Sequence, residues 1–159
     1  MKKFRVLFLS LLIGVFFVSC TDKSKNEWEN LYGYSYDDII GSYTYSNELD
    51  AFDGLTESHH CHVCSDTRIT ISLDFENTLK FELKCPKAEF NQTFTGLPTL
   101  NENDFLIRMS SNPSSTDPKY SVTAYVMSNK NHQIRLHGFA RKRESEDSYV
   151  YYYFDVVKN

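Results

Sequence analysis

The chain has 159 residues, with 17 Lys and Arg against 21 Asp and Glu and a formal net charge of −4. That length suits one domain with a core able to stand alone. The acidic balance is a poor match to nucleic acid or to anionic headgroups, and no nucleic-acid partner is expected.

At the amino terminus, Lys2 and Lys3 precede Phe4 to Val18, an apolar run broken only by Arg5 and Ser10 and closed by Ser19 before Cys20. This is the pattern of a signal peptide, and its run of about 15 residues is short of the ~20 that span a bilayer as a helix. Phe17-Val18-Ser19-Cys20 resembles the lipobox of bacterial lipoproteins, with Phe17 where Leu is usual. The resemblance implies cleavage before Cys20, lipid on its thiol and a membrane as partner through that anchor. The expected location is the cell envelope, at the outer membrane, facing either the periplasm or the surface. Loss of residues 1–19 leaves 140 residues, and loss of Lys2, Lys3 and Arg5 takes the net charge from −4 to −7.

Residues 20–38 read as a lipidated tether, polar and charged apart from Trp28 as far as about Glu29, with room for a short helical turn between Trp28 and Ile40. In lipoproteins of Bacteroidota type an acidic patch after the cysteine serves as a surface-export signal. Here Asp22 and Glu27 are mixed with Lys23 and Lys25, which leaves display open.

Residues 39–159 form the folded domain. Apolar and polar residues alternate there in about eight segments, the period of half-buried strands. The segments are 39–47, 66–75, 78–85, 89–95, 104–110, 119–127, 132–141 and 148–157. Ile69, Ile71, Leu73 and Phe75 share one face of the second, and Leu79, Phe81, Leu83 and Cys85 one face of the third, with Glu76-Asn77 as a tight turn between them. Phe90 and Phe94 continue the bulky inward set, which favours a filled centre or a shallow rim pocket. The basic run Arg141, Lys142, Arg143, followed by Glu144, Glu146 and Asp147, reads as a solvated hairpin turn.

The fold class is therefore all-β. Eight antiparallel strands joined mostly by short turns favour an up-and-down barrel, because closure removes unpaired edges. A β-sandwich is the alternative. The stretch Asp38 to Tyr43, with Gly41-Ser42-Tyr43 opening the first strand, resembles the Gly-x-Trp start of lipocalin-like (calycin) barrels. That resemblance covers 39–157 in architecture. Cys61 to Leu83 is similar, more locally, to the CxxC and hairpin of NlpE-type lipoproteins, the copper-resistance and surface-sensing group. It implies a redox- or copper-responsive role for Cys61 and Cys64 alone.

Chemistry concentrates in His59, His60, Cys61, His62 and Cys64, in the long first loop, and Cys85 ends a strand at the same rim. Lipidation of Cys20 leaves three thiols, so they cannot all pair in one chain. Outside the cytoplasm the ordinary outcome is a disulfide from Cys85 to Cys61 or Cys64. The alternatives are a soft-metal site, three cysteines and one histidine holding Zn or Cu, or a Cys61–Cys64 redox pair. No other cofactor is implied.

Tyrosines form a second concentration. First and last strands are neighbours in a closed barrel, so Tyr43 and Tyr45 are expected beside Tyr151 and Tyr153. Such a surface suits a sugar or an apolar ligand, and it equally suits cross-strand pairs that only stabilise the seam. Catalytic motifs such as Gly-x-Ser-x-Gly and HExxH are missing, and adjacent Asp37 and Asp38 point apart if extended. The expectation is a non-enzymatic binding or sensing module for a small ligand or soft metal. The other reading is a structural or protein-interaction lipoprotein whose cysteines only brace a loop.

Overall fold

Period-2 alternation buries one face of each strand and leaves the other to solvent, and this pattern governs the computed structural model, which describes residues 27–45, 60–75, 78–97, 106–112 and 118–159. The strands are β1 (Glu29–Asn30), β2 (Gly41–Tyr45), β3 (Cys61–Val63), β4 (Arg68–Leu73), β5 (Leu79–Cys85), β6 (Phe90–Gly96), β7 (Leu106–Ser110), β8 (Tyr120–Ser128), β9 (Ile134–Ser145) and β10 (Ser148–Lys158). All belong to one sheet, ordered β1-β8-β9-β10-β2-β4-β5-β6, with β7 added on β8 and β3 on β10. Every ladder is antiparallel except β3 on β10. No ladder joins β6 to β7 among the described residues, so the sheet is open there.

The expected pairing of the first strand with the last is present, since β2 pairs with β10 at Val156, Val157 and Lys158. The segment expected as tether is instead partly built into the domain. Glu29 and Asn30 pair with Ser128 and Met127, and buried Tyr34 donates its hydroxyl to the carbonyl of Leu106 at 2.9 Å. Ser35 then caps α1 (Tyr36–Ile39): the Asp38 N–H donates to Ser35 Oγ, and the Ser35 N–H donates to Asp38 Oδ2. These bonds hold the Asp38 carboxyl below its ordinary value. The turn delivers fully buried Ile39 to the core and leads into β2 through Gly41, whose φ of 148° excludes most side chains.

The core is the inward set of the strands, including Tyr43, Ile69, Ile71, Phe81, Leu83, Phe94, Leu136 and Phe154. Each such side chain contributes about 1.5–3 kcal/mol by leaving water. Gly138 lies between Ala124 and Phe154, and a Cβ there would meet the Thr123 carbonyl oxygen at 2.1 Å. Bulky rings on one part of the interior are thus matched by a bare backbone on another.

Two inward expectations are corrected. Strand β4 ends at Leu73, so Leu73 is 47% exposed and Phe75 is 88% exposed. The turn beyond them is closed by the Asp74 N–H donating to Thr78, and the Glu76-Asn77 pair itself lies outside the described residues. The basic run is also not a turn. β9 continues through Arg141, Lys142 and Arg143 to Ser145, because their partners Tyr151, Val150 and Tyr149 extend the ladder to a tight connection at Glu146 and Asp147.

Candidate functional site

The cysteine loop is resolved by bonding. Cys64 and Cys85 form a disulfide, both nearly free of solvent contact, across 21 residues of sequence. Alternation leaves Cys85 inward at the end of β5, and the loop folds over it. The Cys64 N–H donates to the carbonyl of Tyr153, and buried Thr67 donates its hydroxyl to the carbonyl of Cys64 at 2.7 Å. Asp66 accepts from the Lys87 N–H, in the short 3-10 turn Pro86–Ala88 that follows Cys85. The loop is therefore stapled on both sides.

Two of the four ligands expected for Zn or Cu are spent in this bridge, and the Cys61–Cys64 redox pair is excluded by the same bond. No group of three His, Cys, Asp or Glu able to hold a metal occurs among the described residues. Cys61 lies outside the bridge, on β3 opposite Tyr151. His62 turns to the other face and stacks on Tyr152 at 5.2 Å, and Tyr152 stacks in turn on Phe90 at 3.9 Å. His60 contributes its carbonyl to the Tyr151 N–H. Cys20 and His59 lie outside the described residues.

The tyrosines divide between two faces. Tyr43 is buried inside the sheet and donates its hydroxyl to the carbonyl of Ile39 at 2.5 Å; Tyr45 shares its parity. Tyr151 and Tyr153 face the opposite way, because buried Val150, Tyr152 and Phe154 alternate with them. The four do not form one surface. Sequence periodicity fixes faces within a strand, whereas the phase between two strands comes from their pairing.

Tyr151 and Tyr153 instead belong to the outward face of β7 to β10. Register aligns Ser110, Ser121, Arg141, Tyr151 and Cys61 in one row, and Arg108, Thr123, Phe139, Tyr153 and Val63 in the next. Phe139 packs against Tyr151 and Tyr153 at 5.6 and 5.8 Å, and the two tyrosines stack on each other at 6.1 Å. Arg141 is held by Ser121 Oγ, to which its Nε donates at 2.8 Å, and its guanidinium lies 4.8 Å over the Tyr149 ring. Burial, then the neighbouring Cys61 and Tyr151, pushes the Tyr153 hydroxyl above its ordinary value. A groove of about 420 Å³ runs along these rows, bounded at one side by Thr95 to Leu97.

No family model, curated protein or solved structure matches the chain. The site is therefore read from its own chemistry. Arg108, Phe139 and Arg141 were missed in the sequence, Arg141 because its charged neighbours look like a turn. The signal was the outward parity of Arg135, His137, Phe139 and Arg141 within one strand. The next row holds Asp155, with no exposed surface, gripped by Arg135 through two contacts and by His137 Nδ1 at 3.0 Å. Arg135 also lies 5.6 Å over the Trp28 ring. That cluster is closed on itself and serves to fix the face beside the groove.

Proposed function

We propose that this chain is a lipid-anchored envelope protein whose β domain is a non-enzymatic binding module for a small acidic sugar. The observation that carries the reading is the groove along Arg108, Phe139, Arg141 and Tyr151. Aromatic rings offer flat faces to the C–H side of a sugar ring, Ser121 and Thr123 offer hydroxyls, and two guanidinium groups offer paired donors to a carboxylate. On a chain of net acidic charge, such a local basic pair marks a place where an anion is gathered. The proposed fold is a lipocalin-like barrel in which β6 and β7, which lie in contact, close the ring without a full ladder. Its filled centre puts binding outside the barrel.

Titration calorimetry with oligogalacturonate and with its neutral galactose counterpart tests this. The acidic ligand is expected to bind at least roughly tenfold more tightly, with Arg141→Ala costing about 1.5–3 kcal/mol as a charged hydrogen bond is lost. Equal binding of both sugars, or an unaffected Arg141→Ala, refutes the reading.

The competing reading, a structural or protein-interaction lipoprotein, draws support from the Cys64–Cys85 bond, which braces a loop and needs no metal. Metal analysis of protein made without reductant separates it from a soft-metal sensor. Stoichiometric Zn or Cu lost on Cys64→Ser would favour the sensor.

A further inference from the structure

The ends of the sheet differ in character. At one end lie the charged β9–β10 connection, with Glu144, Glu146 and Asp147, and the Pro86–Ala88 turn with Lys87. At the other end β4 stops and β5 starts, β6 and β8 stop, and β1 pairs beside Ser128. Among the described residues, four large apolar or aromatic side chains stand exposed at this second end: Phe75 at 88%, Leu97 at 73%, Tyr32, beside Ser128 and Lys158, at 60%, and Leu73 at 47%. Leu73 pairs with Leu79 and Leu79 with Gly96, so Leu73, Phe75 and Leu97 belong to neighbouring strand ends. Their burial in something outside the domain would be favourable.

The occupant follows from where the chain enters. Residue 27 leads into β1, at this same end of the sheet. Six residues, 21–26, separate it from Cys20, and the seven steps of chain between the two reach at most about 25 Å when fully extended. From β1 to β4 is five strand spacings along the sheet, roughly 24 Å. A lipid on Cys20 therefore keeps the exposed apolar end within a tether length of the bilayer.

We propose that the end of the sheet bearing Tyr32, Leu73, Phe75 and Leu97 lies in the lipid–water interface of the membrane that holds the anchor. This inference rests on the lipid-anchored reading above. Recognition is by insertion of apolar side chains and a Tyr ring. Leu97 also borders the groove on the outward face of β7 to β10, so that groove opens beside the interface.

The test uses the full mature chain, with Trp28→Phe removing its one natural tryptophan. Phe75→Trp places a reporter at the apolar end, and Ser145→Trp places one at the opposite end; both are surface changes that leave the core intact. In phosphatidylethanolamine vesicles carrying brominated lipid, the Phe75→Trp emission is expected to shift blue and to be quenched roughly twofold or more, as suits a ring ~5–10 Å below the headgroups. The Ser145→Trp emission is expected to stay unquenched, and both signals to be insensitive to salt. Equal, weak quenching at the two positions overturns the inference. Mass measurement of the purified protein reports separately whether Cys20 carries lipid, so a failed anchor and a failed insertion are told apart.

Discussion

Removing the Cys64–Cys85 bond releases a loop spanning 21 residues, and the chain-entropy relation for that length gives a loss of about 3 kcal/mol. A domain of this size has roughly 5–15 kcal/mol of stability, so the variant Cys64→Ala/Cys85→Ala is expected to fold but to melt early. With a urea dependence of ~1.5–2 kcal/mol per molar, its midpoint falls by roughly 1.5–2 M. Both sulfurs are buried, so the native protein is expected to resist dithiothreitol, with Cys64 and Cys85 becoming reactive to a thiol reagent only on unfolding. Urea transitions of the parent, the double variant and Cys61→Ala, followed by far-ultraviolet circular dichroism, read this directly. Cys61→Ala should stay within about 0.5 kcal/mol of the parent as a change away from the core. A native parent in which Cys64 and Cys85 react with a thiol reagent, or a Cys61→Ala midpoint as low as that of the double variant, would refute the assignment of the bridge.

Three further outcomes follow from packing and titration. Burial raises the Tyr43 hydroxyl well above its ordinary 10.0 and raises Tyr152 as well, so the folded state holds these protons longer than the unfolded chain. Stability from Tyr43 is complete below about pH 10 and falls above it, by up to ~1.4 kcal/mol per pH unit, with Tyr152 adding in the same direction. Urea midpoints between neutral and strongly alkaline pH should show that fall, and Tyr43→Phe should make it shallower. Gly138→Ala meets backbone atoms of Thr123 and Ala124 that have no room to move, and should cost at least ~3 kcal/mol, read as lost soluble yield or a collapsed thermal transition. Asp155→Asn strands the largely buried Arg135 and should destabilise by roughly 3–5 kcal/mol, with a change in Trp28 emission because Arg135 overlies that ring.

The sequence made the strands of the central hairpin legible because Ile69, Ile71, Phe81 and Leu83 alternate strictly and pair in register. It was silent on β3, whose three residues have no pattern of their own and are strand only because Tyr151 to Tyr153 offer an edge. Leu73 and Phe75 kept the apolar parity yet lie past the last core contact, so periodicity overran the strand. The disulfide was half legible: proximity of Cys85 to the loop followed from topology, but the choice of Cys64 over Cys61 needed the parity of β3 against β10. The candidate groove was least legible, since it is assembled from β7 to β10, each contributing one or two side chains whose alignment depends on three registers at once.

One edge of β10 is divided between β2, toward its carboxyl end, and β3, toward its amino end, while β9 takes the other edge. β10 is synthesised after every strand that pairs with it. The order of synthesis therefore leaves β2 and β3 without their shared neighbour until β10 has been made. β2, β3 and β9 thus share one late partner, and none of their three ladders to it can form before β10 exists.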